Sequence, residues 1–166
     1  DAIGWGASPK HDGSSALIHF SESICRNTPV EVLEPNTGMF FEKVELRADS
    51  GGAGKNRGGL GLRRDIRFVS DGEFLTVMKK SKSRPWALEG GLEPEANTII
   101  AFPGTDREMR MSTKRVPVSI GDRISVLTAG GGGYGDPKTR DREKVRQDVI
   151  DELVSPEMAR KIYGWE

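Results

Sequence analysis

The feature that most constrains this chain is a glycine-rich, cationic stretch that runs from Asp49 to Gly61. Six of its thirteen residues are glycine, a composition that packed helices and packed strands both avoid. Glycine permits positive φ and lets the backbone approach another group closely. Lys55 and Arg57 lie within the stretch, so two cations and several amides are available to one anionic group. The alternative is a bulged turn between two strands, with its charges in water.

The stretch matches neither of the common phosphate-binding motifs. In a Walker loop the Gly-Lys pair is followed by Ser or Thr, whereas Gly54 and Lys55 are followed by Asn56. The dinucleotide-binding pattern fails as well, because Arg57 stands where its third glycine is required. The sequence therefore gives no sign of a nucleotide site in this stretch.

Composition and charge indicate one domain with a modest core. The chain has 166 residues, of which 35% are hydrophobic. Its 25 cations balance its 25 anions, which argues against nucleic acid as the primary partner. The charge is unevenly distributed, since residues 47–84 carry ten cations and four anions. This basic middle is typical of an anion site, a docking face or a solvated sheet surface.

The cysteine and the histidines predict no metal site on this chain. Cys25 is the single cysteine, so the simpler interpretation is a reducing cytoplasm. His11 and His19 have no third spaced ligand. No apolar run reaches the length of a membrane span and no signal peptide is visible, so we expect a cytoplasmic protein without membrane contact. The chain begins at Asp1 without methionine, which indicates the interior of a longer protein, or a processed or truncated chain.

Periodicity predicts a β-rich α+β fold of antiparallel strands and hairpins, with two glycine-rich loops and a C-terminal helical pair. We expect an extended wrapping segment over residues 1–27, with a short helix at 21–24. A β-rich domain is predicted over residues 28–138, and helices over residues 139–166.

Alternating apolar and charged residues predict strands over residues 29–34 and 40–46, joined by a turn. A strand that ends at residue 68, with a bulge at Arg64, precedes a turn and a strand over residues 74–79, which predicts a β-hairpin. Further strands are predicted over residues 98–102, 116–120 and 124–126, with another hairpin arm within residues 105–113.

The second glycine cluster covers residues 130–135. The two clusters hold eleven of the 21 glycines, which indicates backbone packed tightly against a ligand or a partner subunit.

After the second glycine cluster, the sequence predicts two helices. Val145, Val149, Ile150 and Leu153 predict one face of a helix capped by Thr139 or Asp141. Ser155 and Pro156 predict the start of a second helix, which ends at Gly164.

Four cations precede a Pro-Trp pair in the stretch from Lys79 to Gly91. Cations beside an aromatic ring suit a planar or anionic ligand, and Arg84 is the cation nearest to Trp86. The alternative is a core tryptophan at the base of a loop, with the lysines outside.

Several motifs together resemble the hydantoinase B/oxoprolinase family. They occur in the family's order along nearly the whole chain: Asn27–Glu31, Asp49–Gly61, Pro85–Leu88 with Gly90-Gly91, Gly121-Asp122 leading into Thr128–Pro137, Val149–Ser155 and Tyr163-Gly164. Family members are longer, and this chain is similar to their C-terminal part. The family's metal-binding residues lie upstream of that part, so the resemblance assigns none here.

The resemblance implies a subunit of an ATP-dependent complex that hydrolyses a cyclic amide through a phosphorylated intermediate. The implied partners are a hydantoinase A-type ATP-binding subunit, the upstream part of the B-type subunit as a separate chain, and a small-molecule substrate. ATP and a divalent metal are expected on those chains and not on this one.

Two alternatives stay open at this point. One is the small subunit of an ATP-dependent, biotin-independent ketone carboxylase of the acetone or acetophenone type. The other is a non-catalytic structural subunit of such a complex. In the enzymatic cases oxyanions must be held by positive charge, so Lys55, Arg57 and Arg84 are the candidate substrate- or anion-binding residues. No residue has the activating partner that a nucleophile requires, and no catalytic residue is assigned.

Overall fold

The computed structural model describes residues 2–18 and 28–165. Its helices are α1 (Val30–Thr37), α2 (Arg142–Ile150) and α3 (Pro156–Met158), and α3 continues as a π-helical turn over Ala159–Tyr163. Its strands are β1 (Met39–Leu46), β2 (Leu62–Phe68), β3 (Gly72–Thr76), β4 (Thr98–Ala101), β5 (Met109–Met111), β6 (Lys114–Val118) and β7 (Arg123–Leu127). The predicted helix at 21–24, His19 and Cys25 lie outside the described residues.

The strands form two antiparallel sheets around one apolar core. The larger sheet has the order β1-β2-β7-β4-β5, and β3 pairs with β6 in the smaller one. Residues of both sheets meet in the core, where the rings of Phe68 and Phe74 lie edge to face at 5.9 Å. The prediction of a β-rich α+β fold with antiparallel strands is therefore confirmed.

The strand predicted over residues 29–34 is wrong, because these residues belong to α1. Val30, Leu33 and Glu34 are the half-buried residues of this helix, and their spacing of three and one is that of a helix face. Gly38 ends the helix in the left-handed conformation, at φ 65°. An alternation of only four residues does not distinguish this short helix from a strand.

The predicted hairpin between residues 68 and 74 is also wrong, although both strands exist. β2 is flanked by β1 and β7 in the larger sheet, so neither of its edges is free for β3. The chain crosses to the smaller sheet instead. The bulge predicted at Arg64 lies in the partner strand, where the register of β1 shifts between Phe41 and Lys43.

The two C-terminal helices begin where the sequence predicts. Asp141 caps α2 by accepting a hydrogen bond from the amide of Glu143, and Ser155 caps α3 by accepting one from the amide of Met158. Val145 is buried as expected, whereas Ile150 is exposed. A second apolar cluster, formed by Val145, Val154, Ala159 and Tyr163, packs against Ala53 of the first glycine cluster.

Candidate functional site

The glycine-rich clusters form one layer with two other segments of the chain. This glycine layer consists of residues 2–17, 50–61, 86–95 and 128–135, which are joined by backbone hydrogen bonds. The amide of Gly52 donates to the carbonyl of Gly131, and the amide of Gly59 donates to that of Trp5. The amides and carbonyls of Asn56 and Tyr134 bond to each other at 3.0 Å. The tightly packed partner expected from the sequence is therefore the chain itself.

The glycines of the layer are needed for close approach and not for positive φ. A Cβ on Gly58 would lie 1.9 Å from the carbonyl oxygen of Gly131, and one on Gly131 would lie 1.9 Å from that of Trp5. Of the eleven glycines in the two clusters, only Gly135 has positive φ. Each of the other ten would place a Cβ within 2.6 Å of a backbone atom. A phosphate-binding loop leaves open space in front of its backbone amides. Here that space is filled by neighbouring backbone.

The three predicted anion-binding residues lie in different environments. Lys55 is exposed and makes no ion pair with a described residue. The Arg57 side chain is 7% exposed and pairs with Asp148 at 3.4 Å. Arg84 is half-exposed and lies 3.7 Å from Glu95. Within the part of the chain that the structure describes, no hydrogen bond or ion pair joins any two of the three.

Arg57 belongs to a group of two cations and two carboxylates, the Arg140 cluster, which consists of the half-buried Asp12 and the buried Arg57, Arg140 and Asp148. Arg140 donates to both carboxylate oxygens of Asp12, from Nη1 at 2.7 Å and from Nη2 at 3.0 Å. It also contacts Asp148 through Nη2 at 2.8 Å and Nε at 3.0 Å. The amide of Arg57 donates to Asp12 at 2.6 Å. The charges of the Arg140 cluster sum to zero, so Arg57 already has its counterion.

The contacts of the Arg140 cluster determine its protonation. Burial raises the pKa of Asp12, but the hydrogen bonds and charges of Arg140 and Arg57 outweigh burial and hold this pKa below its ordinary 3.8. Burial lowers the pKa of Arg140, and its two carboxylate partners outweigh that effect and raise it. Burial is also the main reason that the pKa of Tyr163 is raised to about 12. At neutral pH, Asp12 and Arg140 are therefore charged and Tyr163 is neutral.

The Arg140 cluster fastens three parts of the chain together. Asp12 comes from the segment over residues 2–17, Arg57 from the first glycine cluster and Asp148 from α2, while Arg140 lies between them. A cavity of about 20 Å³ beside Arg57 has room for a single water molecule and no substrate. The arrangement is suited to holding the backbone of the layer in place.

Sequence reasoning missed three members of the Arg140 cluster, namely Asp12, Arg140 and Asp148. They are separated by up to 136 positions in the sequence, so no spacing motif connects them. One signal was present: Asp148 lies three residues after Val145 and one before Val149, within the apolar face of α2. A carboxylate on such a face requires a buried cation.

The described residues bring no metal-ligating group together. Among residues 2–18 and 28–165 there is no set of three or more His, Cys, Asp or Glu side chains placed to share an ion. His11 is held by its backbone, since its amide donates to Ser8 Oγ at 3.0 Å.

Residues 2–137 match the hydantoinase B/oxoprolinase family. The chain belongs to this family. The resemblance drawn from the sequence motifs is thereby confirmed. Among the described residues, no helix is both long enough and apolar enough to cross a bilayer.

Several proteins that this chain resembles are named as enzymes. The chain is 30% identical to a putative D-/L-hydantoinase B-type subunit of Pseudomonas sp. (strain NS671), over 84% of this chain and 24% of that protein. It aligns with the ATP-dependent caprolactamase from Pseudomonas jessenii at a TM-score of 0.80 and 26% identity, over 98% of this chain and 29% of that one. Acetone carboxylase in its nucleotide-free structure shares the fold, with a TM-score of 0.80 and 21% identity over 98% of this chain and 26% of that one. The chain thus spans about a quarter of the length of these relatives.

Proposed function

We propose that the chain is part of the B-type subunit of an ATP-dependent hydantoinase/oxoprolinase-type complex that hydrolyses a cyclic amide through a phosphorylated intermediate. The observation that carries the proposal is family membership together with likeness to a B-type hydantoinase chain and to an ATP-dependent caprolactamase. Both relatives are named for cyclic amides.

The geometry favours a structural role for this part of the subunit. The glycine layer is filled by the chain's own backbone, and the Arg140 cluster is neutral and mostly buried. The exposed cations Lys55 and Arg84 remain available to hold an oxyanion that forms on the substrate. Arg57 would serve as an anion holder only after separating from Asp148, so we propose that it positions the backbone beside Lys55.

The described residues do not fit either cofactor that the family implies. A metal would need three or more converging ligands, and a nucleotide would need a cradle that the packed glycine layer does not leave open. We therefore propose that ATP and the divalent metal bind on an A-type subunit and on the upstream part of the B-type subunit. This chain contributes no step through either group.

The test of the proposal is turnover by the purified complex. The chain is isolated with its copurifying partners and incubated with ATP and either 5-oxoproline or a hydantoin. We expect ATP-dependent ring opening, measured by the appearance of glutamate from 5-oxoproline or of the N-carbamoyl amino acid from a hydantoin. A chain that copurifies with no ATP-binding partner and opens the ring alone would contradict the proposal.

A ketone carboxylase is the second candidate, because the chain shares its fold with acetone carboxylase at a TM-score of 0.80. Incubation of the same complex with ATP, labelled bicarbonate and acetone or acetophenone distinguishes the two reactions. Label incorporated into an acid-stable product would establish carboxylation in place of hydrolysis.

A purely structural role is tested with charge-neutralising variants. Lys55→Gln removes an exposed cation, whereas Arg57→Gln removes a buried ion pair. A complex that assembles with Lys55→Gln but turns over more slowly indicates a role at the site. Unchanged turnover with Lys55→Gln, together with dissociation in the Arg57→Gln variant, indicates a scaffold.

A further inference from the structure

One face of the β4–β5 pair carries a polar groove, and none of the residues that line it has a part in the reaction proposed above. Ile99 and Met111 are paired across the strands, and both point into the core. Thr98 and Arg110, which precede Ile99 and Met111 in their strands, therefore lie on the opposite face of the larger sheet. The open groove there has a volume of about 240 Å³. This basic groove is lined by Ser81, Lys82, Asn97, Thr98, Arg110, Met111 and Ser112.

The basic groove carries positive charge that the chain does not neutralise. Neither Lys82 nor Arg110 forms an ion pair with a residue that the structure describes. Arg47 and Arg84 lie beside the groove and share one carboxylate, that of Glu95, at 3.7 Å each. Arg47 and Arg84 thus share one anion, while the two lining cations Lys82 and Arg110 have no ion pair among the described residues.

Arg110 and Arg84 lie close enough to Arg47 to affect its pKa. Burial lowers the pKa of Arg47, the charges of Arg110 and Arg84 lower it further, and Glu95 raises it. Like charges gathered in this way repel each other, so an anion that enters among them is stabilised by all of them at once.

Cations on the rest of the larger sheet form shorter ion pairs. On the same sheet, Arg67 and Arg123 both contact Glu42, at 3.0 Å and 2.9 Å. Arg63 contacts Asp65 at 2.8 Å. These ion pairs are shorter than the 3.7 Å contacts of Glu95, so the cations beside the basic groove are neutralised less closely.

We propose that the basic groove binds a phosphoryl oxyanion, either free phosphate or the phosphate group of a small molecule. Arg110 and Lys82 supply charge, and the hydroxyl groups of Ser81, Thr98 and Ser112 supply further donors around the same space. Donors that approach from several directions suit a tetrahedral anion better than a planar carboxylate. The proposal depends on the charges of this chain and not on the reaction that the complex catalyses.

The experiment is a titration of the full chain, with any copurifying partners, with inorganic phosphate at low ionic strength. Isothermal calorimetry measures the dissociation constant, and chloride at equal ionic strength serves as the reference salt. We expect saturable binding that Arg110→Gln and Lys82→Gln each weaken about tenfold, since each removes one charge-assisted contact. The control is Arg146→Gln, which removes an equal charge from exposed α2, where Arg146 pairs with Glu143. Its affinity for phosphate is expected to equal that of the unmodified chain.

Thermal unfolding of each variant verifies that the fold is intact. Equal dissociation constants for Arg110→Gln and Arg146→Gln would overturn the proposal, as would phosphate binding that never saturates. Loss of a copurifying chain from the Arg110→Gln variant, with phosphate affinity unchanged, would also overturn it and make the groove a protein-docking face. A phosphate monoester titrated in parallel distinguishes the two sources, because a phosphorylated ligand is expected to bind more tightly than free phosphate. Ring opening is measured in a separate experiment, so failure of the proposed reaction does not change the interpretation of the phosphate titration.

Discussion

Gly58 shows what a single residue contributes to the glycine layer. Its Cα lies so near the next segment that a Cβ would come within 1.9 Å of the Gly131 carbonyl oxygen. Gly131 stands in the same relation to Trp5, so three segments stack with no side chain between them. Such close packing brings amides within hydrogen-bond distance of carbonyls, as in the 2.8 Å contact between Gly52 and Gly131. The absence of a side chain is therefore a stabilising feature here, despite its entropic cost.

We predict that Gly58→Ala destabilises the fold by about 3 kcal/mol or more, because backbone on both sides must move to admit one methyl group. Gly72→Ala is the matched control, since no atom lies within 4 Å of its Cβ position. This control is expected to be neutral or stabilising by up to about 1 kcal/mol. Urea denaturation of both variants measures the difference. Equal midpoints for the two variants would mean that the layer yields easily.

At the scale of elements, the sequence predicts where strands occur better than it predicts which strands pair with each other. Alternation identifies β2 and β3 because each buries one face, and both exist. It does not show that β2 is a central strand, flanked by β1 and β7. A short turn then favours a hairpin, although the chain crosses to the other sheet. Strand pairing depends on which edges remain free, and that is a property of the assembled fold.

The two candidate sites were predictable to different degrees. The excess of cations between residues 47 and 84 predicts an anion site, a docking face or a solvated sheet surface, and Lys82 of this stretch lines the basic groove. Arg110 comes from a later strand, and only the register of β4 with β5 brings it there. The Arg140 cluster joins residues from opposite ends of the chain, so its geometry follows from the fold and from no local pattern.

Substitution of Asp148 tests how strongly α2 is held to the glycine layer. We predict that Asp148→Asn destabilises the protein by about 3–5 kcal/mol, because Arg57 and Arg140 lose a buried counterion. Glu143→Gln is the control on the same helix, where the partner Arg146 is exposed, and its effect should stay within about 0.5 kcal/mol. Chemical denaturation at neutral pH measures both. Similar losses for the two variants would show that the Arg140 cluster contributes little.

At the scale of the whole molecule, the net charge is zero, but charges in the interior and charges at the surface are arranged differently. The mostly buried charges of the Arg140 cluster cancel one another, whereas the basic groove keeps an excess at the surface. The first arrangement holds the chain together, and the second is available to ligands. Composition alone does not distinguish these two uses of charge.

The Arg140 cluster predicts acid sensitivity. Because the pKa of Asp12 is lower in the folded state than its ordinary 3.8, the unfolded state binds the proton more tightly. The stabilisation is therefore present above about pH 4 and is lost as the pH falls through the lower, folded-state value. We predict that Asp12→Asn is less stable than the unmodified chain at pH 7 and loses less stability below pH 4. Thermal unfolding from pH 7 to pH 2 measures both curves, and parallel curves would contradict the prediction.

The segment over residues 2–17 finds part of its partners only among residues 129–140, far later in the sequence. The amides of Gly4 and Ala7 donate hydrogen bonds to the carbonyls of Ala129 and Gly132, and the Asp12 carboxylate accepts a hydrogen bond from Arg140. A ribosome adds about 5–20 residues per second, so these contacts have no counterpart for on the order of ten seconds after the segment is made. During that interval the nascent segment is accessible to chaperones and proteases, and it is sheltered only after residues 129–140 have been made.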